Sequence, residues 1–193
     1  MSWLVAGLGN PGPRYAGHRH NVGFMVAEEL ARRAGASFRE KFKGRFTKAM
    51  VNRRDAWLLE PMTFMNRSGI SLGAAGAFYG IAPEETVVIH DELDLPFGAV
   101  RVKLGGGHGG HNGLRSIFSH FGRDFVRIRC GIGRPQHGDV ANFVLSDFSP
   151  DEQPWLSDIV GAAADAVATV MEAGPTEAQA RFNGQSFAPA TES

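Results

Sequence analysis

Apolar residues recur along this chain in two rhythms. Short runs, Trp3 to Ala6, Ala56 to Glu60, Val87 to Ile89, Val100 to Leu104 and Phe125 to Ile132, predict strands. A helical spacing follows Asn21, where Val22, Met25, Val26 and Leu30 share one face up to about Arg33 and Gly35 lies past the end. Ser68 can cap a helix of small residues reaching about Tyr79, and Leu114 to Phe121 predicts another. Ser149-Pro150-Asp151-Glu152 is a helix start ahead of Trp155, Ile159, Ala163, Val167, Val170 and Met171, with a shorter helix from Thr176 to Phe182. Phe38 to Arg54 alternates aromatic and basic residues as an antiparallel strand would, Asp55 begins its hairpin return, and Asn142 to Leu145 is expected to be a last strand. Neither a repeat nor a linker divides the chain, so residues 1–182 are expected to form a single domain. Residues 183–193 have little to bury and are expected to be a flexible tail.

The charges balance over 193 residues, so the whole molecule carries no electrostatic signature of a nucleic-acid binder. Their distribution differs: residues 1–60 carry eleven Lys/Arg against five Asp/Glu, whereas residues 140–193 carry Arg181 against eight acids. A basic end can face an anionic partner. Cys130 is the single cysteine, inside an apolar strand, which excludes a disulfide framework and a cysteine zinc site. No apolar run has the length of a membrane span and MSWLVAGLGNPG lacks a basic region ahead of its apolar stretch, so no membrane association and a cytoplasmic setting are expected.

The densest chemistry lies between Val87 and Ser116. The run Val87-Val88-Ile89 delivers His90, Asp91, Glu92 and Asp94 to a strand end, and the loop Gly105 to Gly113 can bring its backbone close to a ligand. Its N–H groups, at the start of the following helix, are placed to favour a developing negative charge. Earlier, Gly7, Gly9 and Gly12 match G-x-G-x-x-G, but Pro11 and Pro13 prevent the immediate helix that a dinucleotide site needs. Gly69-Ile70-Ser71-Leu72-Gly73 matches G-x-S-x-G, yet Ser71 falls within a helix's opening turns and not at a strand-to-helix elbow. What remains is a base, His20, an orienting carboxylate, Asp91, and the amides of Asn10, Asn66 and Asn112, with no serine or cysteine nucleophile. Such a set suits direct attack by water on an activated acyl bond.

Four stretches, GLGNPGPRYAGHRHNVG, PMTFMNRSG, HDELDLPFG and KLGGGHGGHNGLRS, occur in an order and spacing that closely resemble bacterial-type peptidyl-tRNA hydrolase over residues 3 to 182. The resemblance implies an α/β fold, a three-layer α/β/α sandwich around a mixed, mostly parallel central sheet. It implies a cofactor-free, metal-independent monomer that cleaves the ester between a peptide and the 3′-terminal ribose of tRNA, gripping the acceptor stem and 3′ end. On this resemblance His20 is the general base and Asp91 its orienter. Asn10, Tyr15, Met65, Asn66, His111 and Asn112 bind substrate, and Arg101, Lys103 and Arg129 hold the tRNA phosphate. The acidic C-terminal region departs from relatives with a basic one, which questions its part in tRNA binding. Two rivals remain: a non-catalytic RNA binder on the same fold, which has no need of a base with its orienter, and a metallohydrolase using His18, His90, His108 or His111. Glycine-separated histidines make a poorly preorganised metal site.

Overall fold

In the computed structural model, which describes residues 2–190, seven strands form one sheet and six helices flank it. The strands are β1 (Trp3–Gly7), β2 (Arg39–Lys41), β3 (Gly44–Val51), β4 (Arg54–Pro61), β5 (Thr86–Glu92), β6 (Val100–Leu104) and β7 (Val126–Gly131). The helices are α1 (Val22–Ala34), α2 (Ser68–Tyr79), α3 (Asn112–His120), α4 (Val140–Val144), α5 (Gln153–Ala173) and α6 (Pro175–Phe182). The sheet order is β2-β3-β4-β1-β5-β7-β6. The four central strands run parallel, while β3, β2 and β6 are antiparallel additions at the edges.

Burial explains why the central strands are apolar without alternation. Leu4, Val5 and Ala6 are all fully buried, because Val5 faces a core built with α1 and α5 while Leu4 and Ala6 face one built with α2 and α3. Two packed faces make the three layers. The first glycine of the G-x-G-x-x-G match serves this packing: a Cβ on Gly7 would stand 2.1 Å from the carbonyl oxygen of Gly23 on α1. Ser71 is likewise structural, buried and donating to the Phe42 carbonyl at 2.6 Å.

Several local expectations are corrected. Residues 142–145 are not a strand but belong to or adjoin α4, whose start is capped by Asp139 Oδ1 accepting from the Asn142 N–H at 2.7 Å. The aromatic-basic stretch is two strands, broken where Phe42 and Lys43 both adopt positive φ in a tight hairpin turn. Asn21 does not cap α1 with its side chain; that amide instead bonds both the N–H and the carbonyl of Asn10. The segment after α6 is fastened over residues 183–188. Asn183 brackets the N–H and carbonyl of Val102 on β6, the Phe187 N–H donates to the Gly98 carbonyl, and Phe187 and Ala188 pack on the core. Residues 191–193 of the expected tail lie outside the described residues.

Candidate active site

The parallel strands β1, β4 and β5 all end on one rim, and the residues just past them carry the polar groups. A cleft of about 730 Å³ opens there. His20, Asp91, Asn10, Tyr15, Met65, Asn66, His111 and Asn112 all line it, brought together from four separate stretches of chain. Arg101, Lys103 and Arg129 do not; they sit on β6 and β7 at the sheet's far edge.

Asp91 is buried and accepts from two imidazoles at once. Its Oδ2 lies 2.8 Å from His20 Nδ1 and its Oδ1 2.8 Å from His111 Nε2. The tautomer of His111 follows from its other nitrogen: Nδ1 accepts the N–H groups of Gly113 at 3.1 Å and Leu114 at 3.3 Å, so Nε2 carries the proton and donates it. His111 is thereby the side-chain cap of α3. This corrects the expectation that the N–H groups at that helix start face the cleft, since two of them are taken by the imidazole. His20, donating through Nδ1, has Nε2 left as a lone-pair nitrogen on the cleft wall.

Burial alone would raise the Asp91 carboxyl, but the two imidazoles together outweigh it and hold the group well below the usual carboxylate range. For His20 burial acts to lower the value, and the charge and hydrogen bond of Asp91 overcome it, leaving the imidazole above its ordinary 6.5. His90, fully enclosed beside His111, is pushed down to about 3, chiefly by burial and next by that neighbour. It donates through Nδ1 to the Asp91 carbonyl at 2.8 Å and stays neutral.

Other residues fix the frame. Arg19, buried one position before His20, donates to Ser146 Oγ at 2.6 Å and Glu152 Oε1 at 2.7 Å, with its guanidinium 4.1 Å from the Phe143 ring centre. Asn10 Oδ1 accepts the Met65 N–H at 2.7 Å, which leaves the Asn10 Nδ2 protons free of that bond. Phe64 holds φ 66 and ψ 153, a backbone region disfavoured for a side-chain-bearing residue, and stands half exposed against Tyr15. Sequence reading passed over Arg19 and Phe64, at which only the run of polar and aromatic residues around His20 and Met65 hinted, and it named His90 as a strand-end group and a possible metal ligand without foreseeing its burial behind Asp91. At the far edge Arg129 is paired with Glu92 at 2.9 Å and Arg101 donates to the Gln185 carbonyl at 2.8 Å, whereas Lys103 makes no ion pair among the described residues.

His20, Asp91 and His111 place potential ligand atoms within 4.8 Å of one another. To hold a metal ion there, both imidazole protons that now bond Asp91 would have to leave. His18, His90 and His108 do not join this group.

The profile of the peptidyl-tRNA hydrolase family matches residues 4–190. The chain is 48% identical over 187 residues to the peptidyl-tRNA hydrolase of Syntrophotalea carbinolica, covering 95% of this chain and 98% of that one. It is 47% identical to that of Geobacter sulfurreducens, covering 94% and 95%. A crystal structure of peptidyl-tRNA hydrolase from Acinetobacter baumannii superposes with a TM-score of 0.91 at 41% identity, over 96% of both chains. Fold and sequence agree: this chain belongs to the peptidyl-tRNA hydrolase family.

Proposed function

We propose that this enzyme hydrolyses the ester joining a peptide to the 3′-terminal ribose of tRNA by His-assisted attack of water, with no covalent intermediate. The observation that carries this is the 2.8 Å contact of His20 Nδ1 with a buried, ionised Asp91, which turns Nε2 toward the cleft as a base. Neutral His20 takes a proton from water as its oxygen adds to the ester carbonyl, Asp91 stabilises the imidazolium that forms, and collapse of the adduct breaks the bond to the ribose oxygen, which takes the proton back from the imidazolium. The amide donors of Asn10, Asn66 and Asn112 are assigned to substrate and to the developing oxyanion. Tyr15, Met65 and Phe64 form apolar walls for the 3′ end and the peptide. Lys103, with Arg101 and Arg129 once they exchange their present partners, meets phosphate of the acceptor stem. The protein is read as a cytoplasmic monomer; no helix among the described residues is long and apolar enough to cross a membrane.

Turnover of a labelled N-acyl-aminoacyl-tRNA tests the assignment. His20→Ala is expected to lower kcat/KM by about 10² to 10⁴, the usual contribution of a positioned base. A variant hydrolysing at the wild-type rate would remove His20 from the mechanism.

A further inference from the structure

A second cavity, of about 360 Å³, shares Asn10 with the catalytic cleft. Phe24, Met25 and Met62 supply apolar wall, and its charged groups come from three elements: Glu28 on α1, Arg45 on β3 and Glu60 on β4. Arg45 and Glu60 are cross-strand neighbours. Arg45 Nη1 nevertheless bonds Glu28 Oε1 at 2.8 Å and stands 3.1 Å from Glu60 Oε1 without hydrogen-bond geometry. One guanidinium thus faces two carboxyl groups. Glu60 is 0% exposed, and neither of its carboxyl oxygens has a hydrogen-bond partner.

A buried carboxyl that shares a single guanidinium with Glu28 and receives no hydrogen bond from it, in a cavity with methionine and phenylalanine on its walls, can accept a further cation that brings its own apolar stem. A divalent metal fits poorly, because it needs about six oxygen ligands, and beyond the two carboxyl groups the side chains on the walls offer only Asn10 and Asn21, whose Oδ1 atoms already accept backbone N–H groups. We propose that this cavity binds an aliphatic ammonium group, of the size of a lysine side chain, on the carboxyl of Glu60. Resting on the hydrolase reading above, the ammonium belongs to a lysine in the peptide part of the substrate, because the cavity and the cleft have Asn10 as a common wall. Burial first, and Glu28 next, push the free Glu60 carboxyl up to about 9, with Arg45 opposing them. The group is therefore neutral at pH 7, and it ionises when the cation arrives, so that one proton leaves for solvent.

Calorimetric titration of the full chain with Nα-acetyl-lysine methylamide and with its norleucine counterpart, at neutral pH in two buffers of different protonation heat, tests the site without any turnover. The lysine compound is expected to bind about tenfold more tightly, with close to one proton released, and Glu60→Gln is expected to abolish the difference. Glu28→Gln, which leaves Arg45 to Glu60 alone, is expected to weaken the lysine compound. Equal binding of both compounds by the wild-type protein overturns the site, as does a preference that survives Glu60→Gln at an unchanged thermal midpoint. Two further arms separate the sources of the ammonium. A kcat/KM preference for N-blocked lysyl over norleucyl peptidyl-tRNA, lost in Glu60→Gln, assigns the cavity to the peptide. Binding of cadaverine with no such substrate preference overturns the peptide assignment and gives the site to a free amine. A failure of hydrolysis altogether would strike the catalytic reading and leave the titration standing.

Discussion

At the scale of single residues, the site depends on how one carboxylate is shared. Asp91 draws a proton donor from each of two histidines, and its charge keeps His20 more basic than a free imidazole. A general base must be neutral, so kcat/KM is expected to rise with pH through an apparent value above 6.5. In Asp91→Asn the limb moves to lower pH while the plateau falls; a pH–rate profile of both proteins checks the pair. Glu60 contributes a separate dependence. A carboxyl that is raised in the folded state keeps its proton after the unfolded one has lost it, so stability declines as pH climbs from about 4.5 to about 9. Denaturant titrations across that window should show the decline in wild type and a flatter curve in Glu60→Gln. Phe64→Ala is expected to raise KM about tenfold with little change in kcat, since a half-exposed ring at the cleft can stack on a base. The gathering of His20, Asp91 and the asparagines in one cleft was legible in the sequence because they stand at predicted strand ends and loops, where a rim collects polar groups. Sharing of Asp91 by His111, the pairing of Arg19 with Glu152 and the crowding of Glu60 by Glu28 were not legible, being contacts between segments whose mutual orientation no local pattern encodes.

At the scale of elements, runs of Val, Ile and Leu marked the central strands because both faces of those strands are buried. The misread element, α4, is five residues long, too short for a helical period to emerge from its apolar letters. The glycine loop shows a subtler limit. Its length and flexibility were visible, but the use of its terminal N–H groups by His111 depends on a rotamer held from the other side by Asp91. One imidazole therefore ties the start of α3 to the buried Asp91 carboxylate. His111→Ala is expected to cost about 1 kcal/mol of stability, as loss of a helix cap usually does, and to speed amide exchange at Gly113 and Leu114. His111→Asn, which can still cap, should recover much of the stability and none of the bond through Nε2.

At the scale of the whole molecule, the basic excess of the first sixty residues and the acidic excess of the last fifty-four leave no net charge, and the two ends meet in ion pairs such as Arg33 with Asp165 and Arg19 with Glu152. Affinity for tRNA is expected to fall with added salt, and Lys103→Ala to reduce the slope of that dependence by about one counterion. Hydrolysis is expected to persist in excess chelator, because the imidazole nitrogens nearest Asp91 are engaged as proton donors. The fastening of residues 183–188 along β6 has a different consequence. With Asn183 bracketing Val102, and Arg101 reaching the Gln185 carbonyl, the outer ladder of the last strand is covered by the chain itself. A protein ending at Phe182 would present that ladder bare, and bare strand edges recruit other strands. Sedimentation of such a truncated protein should reveal concentration-dependent self-association that the full chain does not show.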